Sequence, residues 1–184
     1  RKKDIEQVHI CLAFPGVEQD DEDLYPISVM NNLFGGGMSS RLFQRIREEM
    51  GAAYSVYSFP STYTNCGTFT VYAGTSPETA QQVADELLGQ IRLLRDGGVT
   101  QEEFDMAKEQ LKVSYVLGLE SSSARMSAIG RSKLLRGHAV DPQDVIRKIE
   151  AVTKEDVERV AHRMFGRPFS ASAVGRNIDG LKLL

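Results

Sequence analysis

The sequence contains no tryptophan and only two cysteines, Cys11 and Cys66. Two cysteines cannot form the disulfide framework of a small secreted protein, so a reducing compartment is the default expectation. Basic residues are not in excess, because the formal net charge is -3. Nucleic-acid-binding proteins are normally basic, so we expect no nucleic-acid partner. No apolar run approaches the roughly 20 residues of a membrane-spanning helix, so we expect no membrane span.

The proportions of hydrophobic and charged residues are typical of a globular protein. Hydrophobic residues make up 41% and charged residues 26% of the 184 residues. A chain of this length can bury a sizeable core without disulfides or metals. Its first residue is Arg1 rather than Met, so we expect a fragment or a processed product of a longer protein.

The spacing of apolar residues predicts the order strand, helix, helix, strand, strand, helices, strand. The first strand, 8–14, is almost continuously apolar, which predicts burial on both of its faces. Two later strands, 54–59 and 68–73, flank the turn 65–67 and should form an antiparallel hairpin. This order predicts an α+β fold with a mostly antiparallel sheet and helices packed on one side. One domain, residues 1–184, is the economical interpretation.

Several helix starts carry local signals. Ser76 followed by Pro77 predicts a helix start with serine as the cap. Thr100 and Glu103 have the spacing of a capping box. In this motif the threonine side chain accepts from the backbone amide of the glutamate, and the glutamate side chain accepts from the backbone amide of the threonine. These signals predict where two of the helices after the hairpin begin.

The stretch 31–59 combines a helix end, three glycines, a short basic helix and a strand. Glycine tolerates a left-handed backbone, so Gly35–Gly37 are expected to end the first helix. Ser39 or Ser40 would cap the next helix, which Gly51 would close. The three glycines also suggest a phosphate-binding loop, but a helix precedes them and no Gly-Lys-Ser/Thr follows, so a helix-to-helix turn is the better interpretation.

Arg47 and Tyr54 are the candidate site residues of this stretch. Arg47 lies in the last turn of the basic helix, and Tyr54 begins a strand in which Tyr54, Val56 and Ser58 are expected to share one face. A guanidinium and a phenol close together are donors that suit a developing negative charge. On spacing alone, the simpler interpretation is that Arg47 pairs with an adjacent acid, Glu48 or Glu49, and that Tyr54 packs in the sheet.

The sequence shows no complete set of metal ligands. His9 and Cys11 lie two residues apart on the first strand and could face the same ion, but a structural zinc site needs about four ligands. Nothing nearby completes the set, so core residues are the better interpretation. His138 and His162 have no second histidine at metal spacing.

Residues 35–44 (GGGMSSRLFQ) and 47–56 (REEMGAAYSV) resemble the C-terminal αβ-roll domain of the pitrilysin and mitochondrial processing peptidase family. Members of this family are zinc peptidases with an inverted H-x-x-E-H motif. The parent protein is most similar to a bacterial processing protease. The resemblance implies the LuxS/MPP-like metallohydrolase αβ roll. It also implies an Arg–Tyr pair, matched here by Arg47 and Tyr54, that faces a zinc-bearing domain across a cleft.

In this resemblance, Tyr54 hydrogen-bonds the tetrahedral oxyanion or a substrate carbonyl, and Arg47 anchors the peptide backbone. The chain contains no H-x-x-E-H motif around its three histidines. We therefore expect no cofactor in this chain, with zinc in another domain of the parent or in a partner subunit. The expected parent is a homodimer or heterodimer that cleaves unfolded peptides or presequences. A bacterial cytoplasmic location is expected, with a mitochondrial-matrix-like location as the alternative.

Two rival functions follow from the same resemblance. Some members of the family are scaffold subunits of a respiratory complex, in which the fold holds an assembly together without cleaving peptides. A regulatory half that only binds peptide is a third possibility. The intact Arg47 and Tyr54 pair weighs against a scaffold, which has no need of it.

Overall fold

The structure is a computed structural model, and it describes residues 1–183. In this part of the chain the elements follow the predicted order of strands and helices, with a short π-helix as the second helix. They are β1 (Val8–Pro15), α1 (Leu24–Gly35), the π-helix (Phe43–Glu49), β2 (Ala53–Thr62), β3 (Gly67–Thr75), α2 (Ala80–Arg95), α3 (Gln101–Gly118), α4 (Ser122–Arg136), α5 (Pro142–Ala151), α6 (Lys154–Phe165) and β4 (Ser170–Val174).

The four strands form one antiparallel sheet in the order β2-β3-β1-β4. The hairpin of β2 and β3 is confirmed, since Thr62 pairs with Gly67 across the turn. Helices α1, α2 and α6 pack against the sheet, and the buried apolar side chains lie between these layers. The predicted α+β fold, with helices on one side of a mostly antiparallel sheet, is therefore confirmed.

The prediction that β1 is buried on both faces is wrong. Val8, Ile10, Leu12 and Phe14 are at most 1% exposed and point into the helix layer. The intervening residues, among them His9 and Cys11, are only half-buried because no helix within residues 1–183 covers the other face of the sheet. We call this second surface the open face of the sheet.

Of the two helix starts predicted from capping signals, one is confirmed and one is wrong. The Thr100–Glu103 capping box is present, with the Glu103 amide donating to Thr100 Oγ1 at 3.2 Å and the Thr100 amide donating to Glu103 Oε2 at 3.0 Å. The start predicted at Ser76 and Pro77 is wrong, because α2 begins only at Ala80. The Ser76 hydroxyl lies 3.1 Å from Thr79 Oγ1 and does not cap the helix.

The three glycines end α1, but not through a left-handed backbone. Gly36 has a φ of -84°, and the positive φ in this region belongs to Gly51, at +58°. Gly35 is needed for space instead, since a Cβ at this position would lie 2.5 Å from the amide nitrogen and hydroxyl of Ser58 in β2. The glycine therefore allows close packing of α1 against the sheet.

Neither serine of the following turn caps the next helix, so that prediction is wrong. The Ser39 hydroxyl donates to Gln110 Oε1 on α3 at 3.2 Å, and the Ser40 hydroxyl donates to the Gly37 carbonyl at 2.6 Å. Both hydroxyls therefore stabilise the turn rather than the helix start.

Candidate functional site

The candidate site is built on the π-helix and on the first residues of β2. Leu42 and Ile46 are fully buried and anchor this helix to the core. At its end, the Met50 amide donates to the Arg45 carbonyl at 3.2 Å, which is the five-residue spacing of a π-helix. Gly51 then reverses the chain with its positive φ and leads directly into β2. A short anchored segment thus connects the two candidate residues.

Arg47 lies on the exposed side of the π-helix. Its guanidinium carbon is 4.9 Å from the centre of the Phe43 ring, a cation–π contact between the charged group and the ring. The alternative pairing with Glu48 or Glu49 is not seen, because Glu49 accepts a hydrogen bond from Arg45 at 2.7 Å. Within residues 1–183 Arg47 makes no ion pair or hydrogen bond through its guanidinium. Its donors are therefore open to solvent.

Tyr54 occupies a β-bulge, which the sequence pattern did not predict. Ala53 pairs with Thr75 and Ser55 pairs with Gly74, so Tyr54 is the extra residue on β2. The extra residue changes the alternation, and Tyr54 is 78% exposed while Val56 is buried. The predictions that Tyr54 shares a face with Val56, or packs in the sheet, are both wrong.

Arg47 and Tyr54 thus lie on consecutive elements that pack against each other. No hydrogen bond joins their side chains in the part of the chain that the structure describes, and Tyr54 has no protein partner for its hydroxyl there. The arrangement presents a guanidinium and a phenol to the outside. Such groups can donate to oxygen atoms of a bound molecule.

The other arginines of this segment are engaged. Arg41 donates to Glu103 through Nε at 2.5 Å and through Nη2 at 2.7 Å. Arg45 donates to Glu86 on α2 at 3.0 Å. Burial alone would raise the pKa of Glu103, but hydrogen bonds from Arg41 and Thr100 outweigh it and lower that pKa to about 2. Sequence reasoning identified Glu103 as a cap and missed its ion pair, since Arg41 lies 62 residues away.

Metal ligands are not brought together. No group of three or more His, Cys, Asp or Glu side chains within residues 1–183 could hold a metal ion. His9 Nδ1 lies 2.6 Å from the Tyr72 hydroxyl, and burial raises the pKa of the Cys11 thiol. The side chains of this region therefore do not fit a zinc ion. The expectation that His9 and Cys11 are core residues is wrong, because both are only half-buried and lie on the open face.

Among residues 1–183, no helix is both long enough and apolar enough to cross a bilayer.

Comparison with known proteins identifies related sequences. Residues 1–111 match the peptidase M16 inactive domain. The chain is 40% identical over 174 residues to the uncharacterized zinc protease YmxG of Bacillus subtilis, a match that covers 95% of this chain and 42% of YmxG. It is 42% identical over 170 residues to an uncharacterized zinc protease of Streptomyces coelicolor, covering 92% of this chain and 37% of that protein. The chain thus spans about two fifths of the length of these relatives.

Solved structures show the same fold. The peptidase M16 inactive domain from Pseudomonas fluorescens superposes with a TM-score of 0.83 at 24% identity, covering 95% of this chain and 42% of that one. A protease from Helicobacter pylori gives a TM-score of 0.84 at 22% identity, with the same coverage of 95% and 42%. The αβ-roll resemblance is therefore confirmed. This chain belongs to the peptidase M16 family, and the part that matches is the family's inactive domain.

Proposed function

We propose that this chain is the substrate-positioning and oxyanion-stabilising domain of a zinc-dependent endopeptidase that cleaves unfolded peptides or presequences. The observation that carries the proposal is the pair of outward-facing donors, Arg47 and Tyr54, neither of which has a hydrogen-bond partner within residues 1–183. Apart from the contact of Arg47 with the Phe43 ring, both side chains are therefore available to a bound molecule.

Tyr54 is the donor for the oxyanion in this proposal. As a peptide carbonyl is attacked, negative charge grows on its oxygen, and a donor fixed in advance stabilises that charge more than the ground state. The bulge supports this role because it turns the phenol out of the sheet. The Tyr54 hydroxyl therefore donates to the carbonyl oxygen as it becomes an oxyanion.

Arg47 binds the peptide next to the scissile bond. Its planar guanidinium carries five N–H donors, which suits the carbonyl oxygens of an extended backbone. The contact of the guanidinium with the Phe43 ring limits the motion of the side chain. Positioning of this kind lowers the entropy that must be lost before the reaction.

Zinc and its ligands belong to another part of the parent enzyme, since the described residues do not fit the metal. The relatives named above are zinc proteases of more than twice this length, which supports a zinc-bearing domain elsewhere in the same protein or in a partner subunit. The parent would be a homodimer or heterodimer, and the 184-residue chain alone would be inactive. The bacterial source of these relatives supports a bacterial cytoplasmic location over a mitochondrial one.

The proposal is tested by Tyr54→Phe in the full-length parent enzyme. The variant removes one hydroxyl, and we expect turnover of an unstructured peptide to fall roughly tenfold to a thousandfold, as loss of an oxyanion donor typically does. Tyr63→Phe is the matched control, because Tyr63 is also exposed but follows the far end of β2.

Equal turnover by the Tyr54→Phe variant and the wild-type enzyme would contradict the oxyanion role. If, in addition, the full-length protein cleaves no peptide with zinc present, a scaffold or regulatory subunit becomes the better assignment. Arg47 and Tyr54 would then be surface residues without a catalytic role.

A further inference from the structure

The start of the π-helix is fixed by an ion pair that reaches across the sequence to α3. Arg41 and Glu103 form two parallel hydrogen bonds, at 2.5 and 2.7 Å, and Arg41 also donates to the Gly98 carbonyl in the turn before α3. Their side chains are only 15% and 29% exposed. Such a two-bond pair fixes both distance and orientation, which a single contact does not.

Glu103 is itself held in place by the helix start. Its Oε2 atom accepts hydrogen bonds from the Thr100 amide at 3.0 Å and from the Thr100 hydroxyl at 2.8 Å. The carboxylate is therefore a fixed point on α3, not a mobile surface acid. Because α3 packs against α1, the ion pair connects the π-helix to the body of the fold.

The π-helix needs such a connection. A π-helix is rare and occurs mostly as a single turn, so we expect neighbouring contacts to maintain it. Arg41 and Arg45 bind carboxylates on two different helices, α3 and α2, whereas Arg47 binds none within residues 1–183. The first two arginines thus hold the segment, and the third remains available to a ligand.

We propose that Arg41 and Glu103 are a positioning pair, which holds the π-helix so that Arg47 is correctly placed for substrate. This inference rests on the proposed function of Arg47 and adds residues that do not touch the substrate. Loss of the pair would let the start of the π-helix shift, and a shift of about 1 Å near a reacting group can lower the rate roughly a hundredfold.

Glu103→Gln in the full-length enzyme isolates the ion pair. Glutamine keeps a carbonyl oxygen that can accept from Thr100, so the capping box is preserved while the charge is lost. We expect kcat/KM to fall roughly tenfold to a hundredfold, mainly through kcat, because misplacement weakens binding of the transition state. Glu102→Gln removes the same charge from the exposed neighbour and should leave kcat/KM unchanged. Arg41→Lys should also lower kcat/KM, since lysine cannot make the two-bond contact.

A double-mutant cycle with Arg47→Ala distinguishes an effect of Glu103 on the position of Arg47 from a loss of activity that does not depend on Arg47. If Glu103 acts through Arg47, then Glu103→Gln should lower kcat/KM less than about twofold when Arg47 is already absent. An equal loss in both backgrounds, or unchanged activity of a folded Glu103→Gln variant, would overturn the inference. An Arg47→Ala enzyme with wild-type kcat/KM would instead overturn the proposed function itself. Circular dichroism of each variant shows whether it is folded, and Arg41→Lys provides the same test if Glu103→Gln unfolds.

Discussion

Replacing Glu103 with glutamine should destabilise the protein at neutral pH and have a smaller effect in acid. The change weakens the two hydrogen bonds that the carboxylate accepts from Arg41, whereas the glutamine carbonyl can still accept those from Thr100. It also leaves the guanidinium of Arg41, which is 15% exposed, without its counter-charge. Both effects act on the folded state only, so the free energy of unfolding should fall.

The magnitude follows from the pKa of Glu103. Hydrogen bonds lower this pKa from 4.5 to about 2 despite the opposing effect of burial. At 1.36 kcal/mol per pKa unit, this difference corresponds to about 3 kcal/mol of stability at pH 7. Partial exposure of the pair screens the interaction, so we expect a measured loss of about 2 kcal/mol.

The sign of the pH dependence is determined by the direction of the shift. A carboxyl with a lowered pKa in the folded state stabilises the protein above its unfolded pKa, and this contribution is lost as the pH falls towards its folded pKa. The stabilisation by Glu103 should therefore be complete above about pH 5 and should decrease by more than half at about pH 3. In glutamine this contribution is absent at every pH.

Urea unfolding of the 184-residue chain, followed by circular dichroism between pH 7 and pH 3, measures the effect. The quantity of interest is the free energy of unfolding of the wild-type protein minus that of Glu103→Gln. Subtraction removes the titration of other acids whose pKa is lowered, such as Glu86 and Asp156. Glu102→Gln serves as the control for loss of a negative charge from α3. A difference that stays constant from pH 7 to pH 3 would refute the reasoning.

Two further predictions concern the packing of α1, and both are checked by urea unfolding. Gly35→Ala should lower the free energy of unfolding by about 2 kcal/mol, because its Cβ would lie 2.5 Å from the Ser58 amide nitrogen. Gly37→Ala, which meets nothing within 4 Å, should change it by less than about 0.5 kcal/mol, and equal effects would argue against close packing at Gly35. Asp23→Asn should cost about 3 kcal/mol, since this buried carboxylate binds two arginines of α6 at 2.7 Å each. The exposed Glu22→Gln should be neutral, and a neutral Asp23→Asn would show that the buried pair contributes little.

The order of the elements could be predicted from the sequence because its signals are local. The capping box at Thr100 and the hairpin of β2 and β3 each involve residues only a few positions apart, and both are confirmed. The turn itself spans 63–66 rather than the predicted 65–67, because Gly67 already pairs with Thr62 as part of β3. The burial of β1 was predicted less well. Its apolar run cannot show that helices cover only one face of the sheet, which depends on how the whole chain folds.

The candidate site shows where local patterns are insufficient. A bulge changes the register by one residue, so the strand pattern alone gave Tyr54 the wrong face. In so short a segment, the spacing of apolar residues does not distinguish a π-helix from an α-helix. The ion pair of Arg41 with Glu103 joins residues 62 positions apart, and the sequence offers many acids as alternatives. Spacing alone favoured structural roles for Arg47 and Tyr54, and the resemblance to a family implied their catalytic roles.

The most direct test of the proposed function is peptide cleavage by the full-length parent enzyme, with zinc present and then chelated. The wild-type enzyme, the Tyr54→Phe variant and the isolated 184-residue chain would be compared on the same unstructured peptide. We expect zinc-dependent cleavage by the wild-type enzyme, a roughly tenfold to thousandfold loss in Tyr54→Phe, and no cleavage by the isolated chain. Zinc-dependent cleavage at the same rate by the wild-type enzyme and the Tyr54→Phe variant would contradict the proposal that this domain contributes an oxyanion donor to the active site.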